Sequence, residues 1–255
     1  MRLERDGGLA TVTLSLPAKL NAQTPSTWHA LAGIGRDLLT DDEVRVVLLR
    51  AEGRSFSAGL DRSMLGSGPT PGADGEPGLV QLAGLADAEL DATIAAFQRA
   101  FSWWRDEKIV SVAAVQGHAV GAGFQLALAC DLRVLADDAR LAMRETSLGL
   151  VPDLAGTKPL VDAVGYSRAL EICATGRWVE ADEAVALGLA SLVVPRAELD
   201  AAARDLAAAL LAAPTGAVRA TKALLQAAAG HTHPEQQSAE RVAQAGRLRD
   251  LAGSS

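Results

Sequence analysis

The sequence predicts an α/β fold followed by a helical tail, and three observations support this. Val44 to Leu49 is a continuous run of branched apolar residues, which is typical of a strand buried on both faces of a parallel sheet. Helical patterns alternate with further apolar runs of this kind. From Ala197 onward the patterns are helical only and rich in alanine. We therefore predict an α/β core over residues 1–195 and a helical region over residues 196–255.

The first half of the chain contains three predicted strands and two long helices. Leu9 to Leu16 alternates as a half-buried strand does, and Thr24-Pro25 opens a helix whose apolar residues return at helical spacing. With the buried strand at Val44, this unit is strand, helix, strand. A second amphipathic helix is predicted from Ala88 to Arg105, and its aromatic stripe indicates core packing. The strand Ile109–Val115 follows.

The second half begins with a glycine turn and the buried helix Phe124–Cys130. Further strands are predicted over Leu132–Ala136, Leu141–Met143 and Leu192–Val194. The remaining helical patterns are Thr157–Val164, Arg168–Ala174, Ala181–Leu187, Leu199–Ala213, Gly216–Ala229 and Pro234–Leu251.

Gly66 to Gly78 is rich in Gly, Pro, Ser and Asp and has no apolar periodicity. Such a composition predicts a surface loop, and its length makes it a plausible lid over a site.

Composition excludes several classes of protein. The net charge of −7 disfavours a general attraction to nucleic acid or to an anionic membrane. Cys130 and Cys173 each lie in an apolar helical pattern, which indicates buried free thiols in a reducing compartment. The first residues do not resemble a signal peptide. We therefore expect a cytoplasmic protein.

The apolar stretch from Ile109 to Cys130 could be mistaken for a membrane span. Gln116, His118 and Gln125 interrupt it, together with three glycines. We interpret it as a buried strand, a glycine turn and a buried helix.

Common catalytic signatures are missing from the sequence. There is no Gly-x-Ser-x-Gly elbow, no phosphate-binding loop ending in Gly-Lys-Ser/Thr and no His-Glu-x-x-His. The four histidines do not form a ligand cluster, so no metal site is predicted. A hydrolase triad, a nucleotide triphosphatase and a zinc enzyme are disfavoured.

Two turns rich in small residues stand out instead. Phe56 to Asp61 reads Phe-Ser-Ala-Gly-Leu-Asp after a buried strand, and Gly117 to Gly123 leads into a helix. Small side chains leave backbone N–H groups uncovered, and the start of a helix supplies free N–H groups and the positive end of its dipole. If the turns face each other, they make an oxyanion hole. Close packing of strand against helix is the alternative for either turn alone.

Four separated motifs resemble the crotonase (enoyl-CoA hydratase/isomerase) superfamily in order and spacing. They are Leu20-Asn21-Ala22, the turn Phe56–Asp61, the run Gln116–Asp131 and the segment Glu145–Asp153. The agreement extends over about residues 9 to 195 and includes Gly176, Glu183-Ala184 and Gly188-Leu189.

The resemblance implies a crotonase-like spiral of repeated β-β-α units, with a C-terminal helical region that assembles a homotrimer, often paired as a hexamer. It implies that the backbone N–H groups of Ala58 and Ala122 bind the oxygen of an acyl-CoA thioester. By the same resemblance, the residues near the adenine and pantetheine portions of coenzyme A are Lys19, Ala22, Ala58, Leu60 and Asp61. Coenzyme A is then part of the substrate, and no separate cofactor is implied. A solvated loop charge is the alternative for Lys19.

The candidate proton carriers are Glu145 and Asp153. Hydratases of this superfamily use two glutamates, and here the first position is Gln125 while the second is Glu145. An amide orients water but does not carry a proton at neutral pH, so two-base hydration is in doubt. The spacing of Glu145 and Asp153 resembles that of dienoyl-CoA isomerases. The alternative for Asp153 is a cap on a helix beginning near Ala155, and that for Gln125 is a satisfied buried amide.

The leading hypothesis is an enoyl-CoA hydratase/isomerase type of enzyme, with isomerisation favoured by these residues. A conventional hydratase, in which Glu145 alone handles the proton and Gln125 positions water, is the alternative within the enzyme class. A non-catalytic acyl-CoA-binding homologue and an RNA-binding protein are alternatives from other classes, and the acidic charge argues against RNA.

Overall fold

The computed structural model describes residues 1–66 and 78–253, within which nine strands and ten α-helices are found. The strands are β1 Arg2–Asp6, β2 Leu9–Leu14, β3 Val46–Ala51, β4 Val110–Val115, β5 His118–Val120, β6 Leu132–Ala136, β7 Arg140–Ala142, β8 Val179–Glu180 and β9 Leu192–Val194. The helices are α1 Pro25–Leu39, α2 Leu79–Ala83, α3 Asp87–Ser102, α4 Ala122–Ala129, α5 Thr157–Val164, α6 Tyr166–Thr175, α7 Ala181–Ala186, α8 Leu199–Ala212, α9 Thr215–Ala228 and α10 His233–Gly253.

Six strands form the main sheet, in the order β1-β2-β3-β4-β6-β9. β1 is antiparallel to β2, and the other neighbours are parallel. The predicted unit of strand, helix and strand is confirmed as β2, α1 and β3. Thr24 caps α1 by accepting the N–H of Thr27, and Pro25 occupies its first turn, as the sequence indicated.

The main sheet is buried on both faces because successive side chains of a strand point to opposite sides. In β3, Val47 and Leu49 pack in the larger core with α1, α3 and α4, whereas Leu48 packs in a second cluster on the other face. Leu199 and Ala203 of α8 complete that second cluster. The helical region after β9 therefore covers one face of the sheet.

The aromatic stripe of α3 packs in the larger core, as predicted. Phe97 and Phe101 lie against Trp28 of α1, with ring centroids 4.8 and 6.3 Å apart. Trp104, just after α3, is fully buried.

A small three-stranded sheet of β5, β7 and β8 stands beside the main one and leads directly into α4. β5 pairs in parallel with β7, and β7 is antiparallel to β8. β5 is followed by Gly121, the N-cap of α4. This sheet fixes where α4 begins.

The apolar stretch Ile109–Cys130 contains β4, β5 and α4, which confirms the interpretation as strand, turn and helix. Across residues 1–66 and 78–253, no helix combines the length and hydropathy that a membrane span requires.

Several details differ from the sequence predictions. The short elements β1, β5, β8 and α2 were not predicted. Cys130 and Cys173 are free thiols; Cys130 is buried, but Cys173 is half-buried because α6 packs by one face only. Residues 67–77 of the predicted lid Gly66–Gly78 lie outside the described residues.

Candidate functional site

The turn Phe56–Asp61 lies beside the chain that follows β2. The N–H of Ala58 donates to the carbonyl oxygen of Leu20 at 2.9 Å. Gln23 donates its N–H to the Gly59 oxygen at 2.7 Å and accepts the N–H of Asp61 at 2.8 Å. Two sequence motifs separated by more than thirty residues are thereby joined edge to edge.

Ser57 holds this turn in shape through its side chain. Its buried hydroxyl donates to the Asn21 oxygen at 2.7 Å, and it accepts the Gly59 N–H at 3.2 Å and the Gln23 amide at 3.1 Å. With these contacts the hydroxyl is saturated and the turn has little freedom.

The geometry of one peptide unit directs the N–H of Leu60 away from these partners. In a planar trans peptide the C=O of one residue and the N–H of the next point in opposite directions. Because the Gly59 oxygen faces Gln23, the Leu60 N–H points to the opposite side of the turn. No acceptor within residues 1–66 and 78–253 receives it.

The same argument applies at the start of α4. The Gly121 oxygen accepts the N–H of Gln125 at 2.9 Å, so the N–H of Ala122 points out of the helix N-terminus. In the described part of the chain it has no acceptor. A Cβ placed on Gly59 would lie 2.3 Å from the Val120 oxygen and 3.5 Å from the Ala122 nitrogen. The two turns therefore touch, and each offers one free N–H.

This geometry corrects one prediction. The assignment of the Ala58 N–H to a thioester oxygen is wrong, because the Leu20 oxygen already accepts that N–H. Leu60 supplies the free donor in its place, and Ala122 remains the second candidate.

Glu145 lies next to the start of α4. It begins a single 3₁₀ turn after β7 and is 9% exposed. A Cβ on Gly121 would lie 3.2 Å from its Oε1. Its Oε1 accepts a hydrogen bond from Gln125, and its buried Oε2 has no hydrogen-bond partner among the residues described. Glu145 thus presents one carboxylate oxygen without a partner among the described residues, next to the N-terminus of α4.

Burial raises the pKa of the Glu145 carboxyl above its ordinary value. The hydrogen bond from Gln125 lowers this pKa, and the negative charge of Asp153 raises it. A raised pKa suits a group that must both take up and release a proton near neutral pH.

Gln125 is a satisfied buried amide, as the alternative interpretation held. It is 1% exposed, and its Oε1 accepts the N–H groups of Leu154 at 2.9 Å and Gly156 at 3.2 Å. Its Nε2 donates to Glu145 at 2.6 Å.

Asp153 lies close enough to Glu145 for their charges to interact. Burial of the carboxyl by surrounding protein atoms raises the pKa of Asp153, although the residue as a whole is exposed. The capping alternative is wrong: α5 begins at Thr157 with Gly156 as its N-cap, and it has no side-chain cap.

The residues predicted to lie near coenzyme A come together on the joined turns. Lys19 forms an ion pair with Asp61, with nitrogen and oxygen 3.5 Å apart. Hydrogen bonds from Ser63 lower the pKa of Asp61, and Lys19 contributes to the same effect. Ala22 lies next to Gln23, and Leu60 lies in the turn whose Gly59 oxygen and Asp61 N–H are bonded to Gln23.

Within residues 1–66 and 78–253, no group of three or more His, Cys, Asp and Glu side chains is placed to hold a metal ion.

Comparison with known proteins decides the family. The sequence profile of the enoyl-CoA hydratase/isomerase family matches residues 4–247. This chain belongs to that family. A curated relative, carnitinyl-CoA dehydratase from Salmonella typhi, is 34% identical over 229 residues, which cover 89% of this chain and 80% of the relative.

Solved structures of the enoyl-CoA hydratase/isomerase family share the fold. A protein from Thermobifida fusca YX that is provisionally called an enoyl-CoA hydratase is 49% identical, with a TM-score of 0.93 over 99% of this chain and 94% of that one. A Thermobifida fusca YX protein with the same provisional description, in complex with acetoacetyl-CoA, is 50% identical, with a TM-score of 0.91 over 97% of this chain and 94% of that one. An enoyl-CoA hydratase from Bacillus anthracis has a TM-score of 0.82 at 25% identity over 97% and 90%. The resemblance to the crotonase superfamily and its fold is thereby confirmed.

The sequence reasoning missed two features of this family member's site. The donor role of Leu60 was missed because the direction of a peptide N–H depends on the chain beside it. The support from Gln23 and Ser57 was missed because both are common polar residues, although Ser57 lies inside the motif already recognised.

Proposed function

We propose that this protein binds an acyl-CoA thioester and moves a double bond along its acyl chain. Glu145 is the principal base, Asp153 is the second proton carrier, and the N–H groups of Leu60 and Ala122 hold the thioester oxygen. The observation that carries this proposal is the buried, unpartnered Oε2 of Glu145 beside the N-terminus of α4.

The proposed reaction proceeds in two proton transfers. Oε2 of Glu145 takes the proton from the carbon next to the thioester of a 3-enoyl-CoA, and the electron pair of that C–H bond delocalises onto the thioester oxygen. A proton from Asp153, or the one held by Glu145, then adds at the far end of the conjugated system. The product is the 2-enoyl-CoA, and no atom is gained or lost.

The two N–H groups stabilise the charge that develops in between. Each preorganised donor of this kind contributes roughly 3 kcal/mol to lowering a barrier. The positive end of the α4 dipole adds to this effect. Proton transfer and charge stabilisation thus use groups of this chain, so the proposal calls for no cofactor besides the coenzyme A of the substrate.

The comparisons support the substrate class. The Thermobifida fusca protein was crystallised with CoA and with acetoacetyl-CoA, and the Salmonella relative is named for a reaction of a CoA thioester. We propose that Lys19, Ala22, Leu60 and Asp61 contact the adenine and pantetheine portions here.

The test follows the ultraviolet absorbance of crotonyl-CoA, a 3-enoyl-CoA and a 3,5-dienoyl-CoA with the native protein, Glu145→Gln and Asp153→Asn. We expect the native protein to shift the double bond and both variants to lose most of that activity. Hydration of crotonyl-CoA without bond migration, together with full activity of Asp153→Asn, would overturn the assignment of Asp153.

Hydration or dehydration is the second candidate, and one contact favours it. Nε2 of Gln125 carries two N–H groups, and Glu145 accepts one of them at 2.6 Å, which leaves the other available to orient water. The names of the relatives agree with this chemistry.

In the same assay, unchanged absorbance with every substrate and with every variant would instead indicate a non-catalytic acyl-CoA-binding protein.

We also propose that the protein assembles as a homotrimer or hexamer. Large apolar side chains remain exposed near the site and along the last helices, among them Val151 at 69%, Tyr166 at 70% and Val242 at 72%. Sedimentation velocity tests this proposal, and a monomer at micromolar concentration would contradict it.

A further inference from the structure

Gln125 connects two parts of the site that the proposed reaction uses separately. Its side chain spans from the segment before α5, where its oxygen accepts two N–H groups, to the carboxylate of Glu145, to which its nitrogen donates. We infer that Gln125 is a positioning residue that holds Oε1 of Glu145, so that Oε2 alone exchanges protons with the substrate. This inference rests on the proposed function.

The orientation of the amide is set by its surroundings. The N–H groups of Leu154 and Gly156 converge on one oxygen, a concave arrangement that binds an acceptor. Ala155 between them has a φ of +61°, a left-handed conformation that is unfavourable for a residue with a side chain. Because both N–H groups require an acceptor, the amide oxygen faces them and the NH₂ group faces Glu145.

The bond from Gln125 makes the two oxygens of Glu145 unequal. Oε1 accepts the amide N–H at 2.6 Å, while Oε2 is buried without a partner. An unsolvated, unpaired carboxylate oxygen is the better proton acceptor of the two. Gln125 therefore selects which oxygen reacts and the direction from which the substrate is approached.

A neutral amide suits this role because of the charges nearby. Asp153, from the segment before α5, and Cys173, from α6, are titratable groups whose interaction with the Glu145 carboxyl is electrostatic. α4 itself supplies Gln125 and no titratable side chain within its bounds. Burial and Asp153 disfavour the ionised form of Glu145, whereas the amide donor favours it at every pH.

Two independent substitutions remove this hydrogen bond. Gln125→Met keeps the length of the side chain and removes the donor. Gly156→Ala leaves Gln125 in place but adds a methyl 2.6 Å from its Cγ and 2.9 Å from its Oε1. The φ of Gly156 is −81°, which alanine accepts, so the displaced amide is the main consequence. Gly33→Ala, in α1 with its nearest neighbour 3.8 Å away, is the matched control.

The readout is the pKa of the Glu145 carboxyl, measured by infrared difference spectroscopy of each protein with Glu145→Gln as the blank. We expect both Gln125→Met and Gly156→Ala to raise this pKa by about one unit, since a hydrogen bond to a charged group has roughly that effect. The acid limb of kcat/KM should move up by the same amount, with kcat falling more than KM changes. Gly33→Ala should match the native protein.

This design separates the inference from the proposed function. The infrared titration needs no substrate, so it tests the role of Gln125 even if the protein turns over none of the acyl-CoA compounds tried. If either variant folds with a native circular dichroism spectrum and leaves the Glu145 pKa unchanged, the inference is overturned. A shift in Gly156→Ala supports it even if Gln125→Met does not fold.

Discussion

Gly59→Ala tests whether the two turns form one site. Gly59 has a φ of +82°, and an added methyl would lie 2.3 Å from the Val120 oxygen. A positive φ costs alanine roughly 1–2 kcal/mol, and forcing a methyl into packed surroundings costs about 1–3 kcal/mol more. Alanine also lowers the conformational entropy of the unfolded chain, and this effect offsets about 0.4–1 kcal/mol of the lost stability. We therefore expect the free energy of unfolding to fall by roughly 1–5 kcal/mol, the sum of these terms.

A matched variant separates the two costs. Gly7 also has a positive φ, +52°, but an added methyl there would meet nothing within 4 Å. Gly7→Ala should therefore show the backbone cost alone. The free energy of unfolding of both variants is measured by urea denaturation followed by circular dichroism. The difference between them, about 1–3 kcal/mol, reports the contact between the turns.

The same substitution should reduce catalysis in the molecules that remain folded. The added methyl pushes the turn that carries Leu60 away from Val120. The Ala122 nitrogen would lie only 3.5 Å from this methyl. Loss of one oxyanion donor lowers kcat by roughly 100-fold or more. Equal stabilities of Gly59→Ala and Gly7→Ala, together with a native kcat, would refute the reasoning that the turns touch at the reacting centre.

Four further predictions concern the carboxylate of the site and the packing of the tail. The value of kcat/KM should fall as pH falls through the raised pKa of Glu145, because only the ionised form accepts a proton; an acid limb at the ordinary glutamate pKa of about 4.3 would contradict this. Because the folded-state pKa is raised, protonated Glu145 favours folding, and urea titrations should show the stability of the native protein relative to Glu145→Gln decreasing as pH rises through that pKa. Glu145→Gln should lower kcat by roughly 100- to 10,000-fold in absorbance assays with saturating substrate, and a loss below tenfold would remove Glu145 as the base. Lys222→Met should destabilise the protein by about 3–5 kcal/mol in urea, because it leaves the Asp131 carboxylate, 2.8 Å from the Lys222 amine, without its cationic partner. Lys108→Met at an exposed pair should change little.

Much of the secondary structure could be predicted from local patterns. The bounds of α5 and β9 match the prediction, and those of β6 do too, because apolar periodicity and burial go together within one element. β1 escaped prediction because its side chains are mostly exposed and it lies at the edge of the sheet. β5 has three residues and is a strand by virtue of its pairing with distant segments, His118 with Arg140 of β7 and Ala119 with Ser57, so no local pattern reveals it.

The chemistry of the site was partly visible in the sequence. Glu145, Gln125 and the glycine turn before α4 were selected from motifs, and the structure brings all of them together. The prediction that the N–H groups of Ala58 and Ala122 are both free donors could not be checked from the residues, because both are small. The Leu20 oxygen, supplied by a distant part of the chain, occupies one of them.

The sequence by itself determined the α/β core, the helical tail, the family and the side chains available for proton transfer. Those features depend on the identity and spacing of residues along the chain. The tertiary structure decided which N–H groups are free, which oxygen of Glu145 is unpaired and that Asp153 does not cap α5. These depend on the direction of individual peptide groups and on partners far apart in sequence, and only the folded packing sets them.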